Sequence, residues 1–282
     1  MSAAREYKRS GFWRTLTLAL LVVIWLVPLV AVFVTSFRTT RQVSSSGWWE
    51  ALIPPFAFTG SNYEQVLTRS GLAQAFLNSA TITIPVVVLA VVFAALGGYV
   101  FARWRFWGRD VVFFVMLALL SVPLQMTLVP TLKLFGSLGI VGTFPAVWIA
   151  HLGYAMPFSV YLMRNFFRGV PEELFEAASI DGASEPRKLW SLGLPLATPA
   201  LAAVGVFQFM WVWNDLLVAL VFLGGGRSVG PLTVTVSNLV GAKGDGWEVL
   251  TAAAFILMLV PMIVFFALQK YFVRGLLSGS VK

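Results

Sequence analysis

The sequence contains no cysteine, a single histidine and few charged side chains. Without cysteine there can be no disulfide, no thiol nucleophile and no Cys-ligated zinc or iron–sulfur centre. One histidine, His151, gives no basis for a His-based metal cluster, so no metal ligands are assigned. No G-x-x-x-x-G-K-[ST] phosphate loop occurs, so the chain should not hydrolyse ATP itself. No nucleophile–base constellation is evident either, and no catalytic residue is assigned. Charged residues make up only 11% of the 282 positions, whereas a soluble domain averages about 25%.

What the chain has instead is apolar length. It is 59% hydrophobic, carries 24 Phe and has a mean hydropathy of +0.84. These values predict an all-α polytopic membrane protein. The formal net charge of +8 could suggest nucleic acid, but the basic residues lie between apolar runs, which is the pattern of membrane topology.

The first uncharged run, Thr15 to Phe37, follows a basic N-terminus. It exceeds the about 20 residues that cross a bilayer core and lacks a clear small-x-small cleavage site, so it reads as an uncleaved span. Further spans are expected within Phe76–Phe101, Val111–Leu132, Thr143–Met163, Leu196–Leu223 and Val249–Gln269. The Trp48–Trp49 pair, between the first two, reads as an aromatic anchor at the headgroups.

Six spans put both termini on one side. Assigned that way, 14 Lys and Arg fall on the side of the termini and six on the other. Basic loops stay cytoplasmic, so both termini and the loop after the fourth span are expected in the cytoplasm.

Four polar residues stand out inside apolar runs: His151, Gln208, Asn214 and Asp215. A mid-membrane carboxylate costs roughly 2.5–3.5 kcal/mol on insertion scales, so Asp215 should be paired, neutral or beside water. His151 is expected to hydrogen-bond between helices rather than relay protons, and Gln208 to pack between helices. Pro28, Pro85, Pro123, Pro130, Pro157 and Pro261 can each kink a span.

The longest polar interval in the second half runs from Glu176 to Pro195. Pro171 suits a first helical turn, and Glu172 and Glu173 favour the positive helix start. Gly182 can end that helix in the left-handed conformation. Ser184 and Pro186 then open a second short helix. Ala177 and Ala178 leave a face of little bulk for another protein. A solvated surface helix-turn-helix is the plain structural alternative.

Glu176-Ala177-Ala178, three residues, Gly182, nine residues, then Leu192-Gly193-Leu194-Pro195 resembles the loop signature of permease subunits of bacterial ATP-driven (ABC) importers. Leu192 stands where that family more often has Ile. Val122-Pro123-Leu124-Gln125, Met156-Pro157-Phe158, Leu162 to Phe167, Trp213-Asn214-Asp215 and the tail from Gln269 extend the likeness over most of the chain. The chain is most similar to the smaller permease of maltose-type carbohydrate importers. Val236-Ser237-Asn238-Leu239, Trp247 and the tail are similar to α-glucoside members.

The resemblance implies a type I ABC importer permease fold, with one transmembrane domain over 1–282 and a cytoplasmic coupling loop at 165–195. Glu176, Ala177, Ala178, Asp181, Gly182, Leu192 and Pro195 would form the ATPase-coupling loop, His151, Gln208, Asn214 and Asp215 would border the translocation path, and the chain would lie in a bacterial inner membrane. It implies a sugar as cargo, either an oligosaccharide or an α-glucoside. The partners implied are a second, larger permease, a pair of ABC ATPases holding ATP and Mg, and an extracytoplasmic sugar-binding protein. The chain itself would hold no cofactor, and no nucleic acid is expected. The tail could reach between the ATPases. Two other readings stay open: an ABC permease for an amino acid, peptide or polyamine, and an ion-coupled transporter using Asp215 and His151 as proton sites. The absence of an evident inverted repeat weighs against the second.

Overall fold

The computed structural model describes the backbone of residues 2–69, 71–224, 226, 228–239 and 246–277, with side chains for 12–68, 71–224, 226, 228–239 and 246–269. Among these residues there is no strand. That follows from the composition, because in hydrocarbon a helix satisfies all its backbone groups internally. In chain order the helices are α1 (Ser2–Thr35), α2 (Thr40–Ser45), α3 (Ser61–Arg69), α4 (Leu72–Arg103), α5 (Arg109–Ala118), α6 (Leu124–Ser137) and α7 (Phe144–Gly169). There follow α8 (Glu172–Ile180), α9 (Glu185–Lys188), α10 (Leu194–Trp213), α11 (Leu217–Leu223), α12 (Leu232–Ser237) and α13 (Trp247–Leu277).

Among the described residues five apolar helices are long enough to cross a membrane, and the bent pair α5–α6 makes a sixth if it counts as one span. The second and sixth expected spans fall within α4 and α13, and the first and fourth coincide with α1 and α7 except that Phe37 lies past the end of α1 and Thr143 just before α7. The third differs from the expectation. Instead of one span over Val111–Leu132, α5 ends in a 3₁₀ turn at Leu119–Ser121 and α6 leaves at 105°. Pro123 lacks an N–H and forces Val122 into an extended conformation (φ −82, ψ 118), so the helix must restart at Leu124. By contrast Pro28, Pro85, Pro130, Pro157 and Pro261 all lie inside unbroken helices.

The fifth span also differs. Helical structure starts earlier, at Glu185, and runs through a π-helical turn at Leu189–Gly193 into α10, which stops at Trp213 rather than Leu223. The Asn214 amide donates back to the Met210 carbonyl at 2.7 Å. The Asp215 carboxylate accepts the Val218 and Ala219 N–H groups at 3.2 and 2.9 Å. One helix closes and another, α11, opens at this pair.

The chain divides into two compact units, Met1–Leu72 with Val236–Leu257, and Ala73–Thr235 with Met258–Lys282. In the first, Asn62 donates to the Ser36 and Arg38 carbonyls, both at 2.8 Å. The buried Arg38 guanidinium donates to the Gln42 carbonyl (2.7 Å) and to that of Ser46 (3.2 Å), closing the C-terminal end of α2. Thr40 bonds the buried Glu248 at 2.7 Å, and Phe33 packs on Phe255. A 3₁₀ turn, Trp48–Leu52, leaves Trp49 exposed as an interfacial anchor requires.

In the second unit α4 and α7 approach closely. A Cβ at Gly98 would lie 2.9 Å from the Arg164 backbone nitrogen, and one at Gly97 would lie 3.1 Å from Val160. Small residues at a crossing permit this contact between membrane helices. At one end of the α4–α7 contact, Ala94, Tyr99, Met163, Phe167, Leu189 and Val204 form a core that also buries Phe175 of α8. The expected cytoplasmic segment is thereby anchored to the ends of the long helices.

Candidate functional site

The Glu176–Pro195 segment is helical almost throughout, and Leu192, Gly193 and Pro195 belong to the run leading into α10 rather than to a free loop. Pro171 precedes α8, and Glu172 and Glu173 occupy its first turn. Gly182 has φ +75. Its N–H bonds the Ser179 carbonyl at 3.0 Å while Ala183 N–H bonds that of Ala178 at 2.9 Å. This paired closure is a Schellman cap, and it places Gly182 in the conformation that L side chains avoid. Ser184 holds the extended N-cap conformation before α9, but its side chain makes no capping bond. Pro186 sits in the first turn, as expected.

One face of α8 is turned inward by Phe175. Outward lie Leu174, Glu176, Ala177, Ile180 and Asp181, with Ala178 half-buried between the two faces. Ile180 is 88% exposed. An aliphatic side chain so placed at the end of a charged helix forms an apolar knob beside the nearly flat Ala177. Ile180 escaped the sequence reading because periodicity alone does not tell which side of so short a helix packs.

Two further groups escaped it, and they fix the segment in place. The Glu185 carboxylate accepts from Tyr99 Oη (3.1 Å), Trp104 Nε1 (3.3 Å) and Lys188 Nζ (2.6 Å). Arg103, counted in the sequence only as a loop charge, donates to the Phe167 and Val170 carbonyls at 2.6 Å. Its guanidinium also stacks 4.1 Å above the Phe175 ring. A cation thus closes the C-terminal end of α7 and clasps α8 at once. Tyr99, Arg103 and Trp104 all stand at the end of α4, so α4, α7 and the α8–α9 hairpin are joined at one corner. The pairs are separated by more than 60 positions, and nothing local in the sequence announces them.

The structure brings two of the four path candidates together. His151 Nε2 lies 3.6 Å from Asp215 Oδ2. His151 is fully buried and edge-on to Trp211, and neither ring nitrogen has a hydrogen-bond partner among the described residues. The expected interhelical hydrogen bond is therefore not made, because the carboxylate it faces stands beyond hydrogen-bond distance. Ser79, Thr83, His151 and Asp215 border a cavity with room for about one water. Gln208 lies apart, buried and donating to Ser159 Oγ at 2.9 Å, so it joins α10 to α7 as expected. Asn214 is exposed.

Apolar helices of bilayer length, with a helix-turn-helix fastened to the ends of α4 and α7, are the architecture of a polytopic membrane protein. A family described as the inner membrane component of binding-protein-dependent transport systems matches residues 1–278, and the chain belongs to that family. It is accordingly an inner-membrane transport subunit and not an enzyme. It is 46% identical to the osmoprotective compounds uptake permease protein GgtD of Synechocystis sp., over 98% of this chain and 95% of that one. It is 47% identical to the alpha-glucoside transport system permease protein AglG of Rhizobium meliloti, over 83% of this chain and 63% of that one. Among solved structures, a chain of a bacterial ABC transporter involved in import of the acidic polysaccharide alginate shares the fold. Its TM-score is 0.75 at 23% identity, covering 93% of this chain and 96% of that one.

Proposed function

We propose that this chain is the smaller permease of an ATP-driven carbohydrate importer, with an oligosaccharide or α-glucoside as cargo. The alpha-glucoside permease among its relatives supports the cargo class. The partners are a second permease, an ABC ATPase pair that binds ATP and Mg, and an extracytoplasmic sugar-binding protein. Both termini and α8 face the cytoplasm, a reading supported by the 14-to-six distribution of Lys and Arg.

The observation that carries the mechanism is the exposed end of α8, held by its Schellman cap and by the Arg103–Phe175 and Glu185–Tyr99 contacts. In the proposed cycle, ATP binding closes the ATPase pair and moves α8. Glu176, Ala177, Ala178, Asp181 and Gly182 meet the ATPase, while Leu192 and Pro195 carry the motion into α10. Because Tyr99 and Trp104 hold Glu185, α4 moves with the hairpin. Asn214 and Asp215 border the sugar path, and His151 and Gln208 fix the helices around it. The C-terminal tail from Gly279 and the outer charges Arg227 and Lys243 lie outside the described residues.

The test is uptake in vesicles carrying the assembled importer. This reading requires uptake that depends on ATP and on the binding protein and survives collapse of the proton gradient. Uptake that follows the proton gradient would replace it with the ion-coupled reading.

A further inference from the structure

The turn between α4 and α5 takes no part in the coupling corner beyond Arg103 and Trp104, yet it holds a concentrated positive charge. Arg105, Phe106, Gly108, Arg109, Asp110 and Val111 line an open pocket of about 380 Å³. Arg164 and Arg168 of α7 act electrostatically on Asp110. Arg109 and Arg168 also lie close enough to Arg164 to repel it. The counter-charge is Asp110, which pairs with Arg109 at 3.0 Å. Arg164 is otherwise engaged with the Phe113 ring (3.9 Å) and the Phe101 carbonyl (3.4 Å). Arg105 and Arg168 are exposed and make no hydrogen bond or ion pair among the described residues. Four arginines against one aspartate leave room for an added anion.

The surroundings indicate which anion. Beyond the pocket, α5 presents Val111, Val112, Phe114 and Val115 outward, all exposed. At the rim Trp107 is 99% exposed and Phe106 stands beside it. Basic groups at the end of an apolar helix face, flanked by exposed aromatics, suit a charged headgroup with its acyl chains alongside. A freely soluble anion would need only the arginines.

We propose that the Arg105–Val111 turn is a binding site for an anionic glycerophospholipid. Its phosphodiester takes Arg105 in the field of Arg109, Arg164 and Arg168, and its acyl chains run along α5. A lipid held there braces the α4–α5 turn beside the coupling corner. Which leaflet supplies it rests on the proposed orientation; the binding itself does not, so the test below is made in micelles.

The purified importer is held in zwitterionic micelles with equimolar phosphatidylglycerol and phosphatidylcholine, and retained lipid is counted by native mass spectrometry. The wild-type complex should retain phosphatidylglycerol in preference, and each arginine removed should lower that preference about fivefold. Arg105→Gln with Arg168→Gln should therefore nearly abolish it, while Arg41→Gln, outside the pocket, should leave it intact. On the wild type alone, raising salt from low to molar concentration should weaken the preference. No preference in the wild type, the same preference in the double variant, or full displacement by inorganic phosphate would each overturn the proposal. If the double variant fails to insert, the salt series on the wild type decides, and a salt-independent preference would refute the site.

Discussion

At the residue scale, Gly182 and Ile180 separate stability from coupling. A Cβ on Gly182 meets nothing within 4 Å, so the constraint is its φ of +75 alone. Gly182→Ala should cost about 1 kcal/mol through the left-handed backbone, measured as a small loss of melting temperature in detergent. Gly182→Asp should insert and assemble yet lose stimulation of the ATPase by sugar-loaded binding protein. Asp215 allows a different test. It meets two backbone N–H groups at the start of α11, and Asn keeps one carbonyl oxygen for them. Asp215→Asn should leave most uptake intact, whereas Asp215→Ala should destabilise by about 1 kcal/mol through loss of the cap. Collapse of uptake in Asp215→Asn, with normal assembly and loss of a proton flux, would favour ion coupling.

At the element scale, the coupling corner is a set of helix ends tied by polar contacts. Glu185→Gln weakens three bonds to Tyr99, Trp104 and Lys188. Because Glu185 is 42% exposed, the expected loss of stability is only about 1 kcal/mol. The sharper readout is the number of ATP molecules hydrolysed per sugar imported, which should rise as α8 moves without α4. An unchanged ratio would assign Glu185 a purely structural part. Gly98→Leu should act on packing instead, separating α4 from α7 at a cost of about 1–3 kcal/mol. The sequence made four spans legible because uninterrupted apolar runs leave one solution in a bilayer. It did not make the third and fifth legible. Pro123 breaks its helix while Pro85, Pro157 and Pro261 do not, so proline alone is no marker. The stop at Trp213 depends on what the Asn214 and Asp215 side chains bond. Gly182 was readable because a left-handed helix end has a local signature. The contacts of Arg103, Tyr99 and Glu185 were not, because they join residues far apart in the chain.

At the scale of the whole molecule, the account needs a fixed orientation and a partner surface. The absence of native cysteine allows single reporters. Ser45→Cys and Ser184→Cys both occupy exposed positions. In spheroplasts an impermeant thiol reagent should label the first and spare the second, and the reverse pattern would remove α8 from the cytoplasm. The central claim is that the exposed end of α8 receives the ATPase. Ile180 tests it most directly, because its side chain is 88% exposed and substitution leaves this chain's own packing alone. The measurement is ATP hydrolysis by the reconstituted importer carrying Ile180→Asp, with and without sugar-loaded binding protein. The expected result is a permease inserted and paired as in the wild type, with stimulation lost; wild-type stimulation in that variant would remove α8 from the ATPase contact.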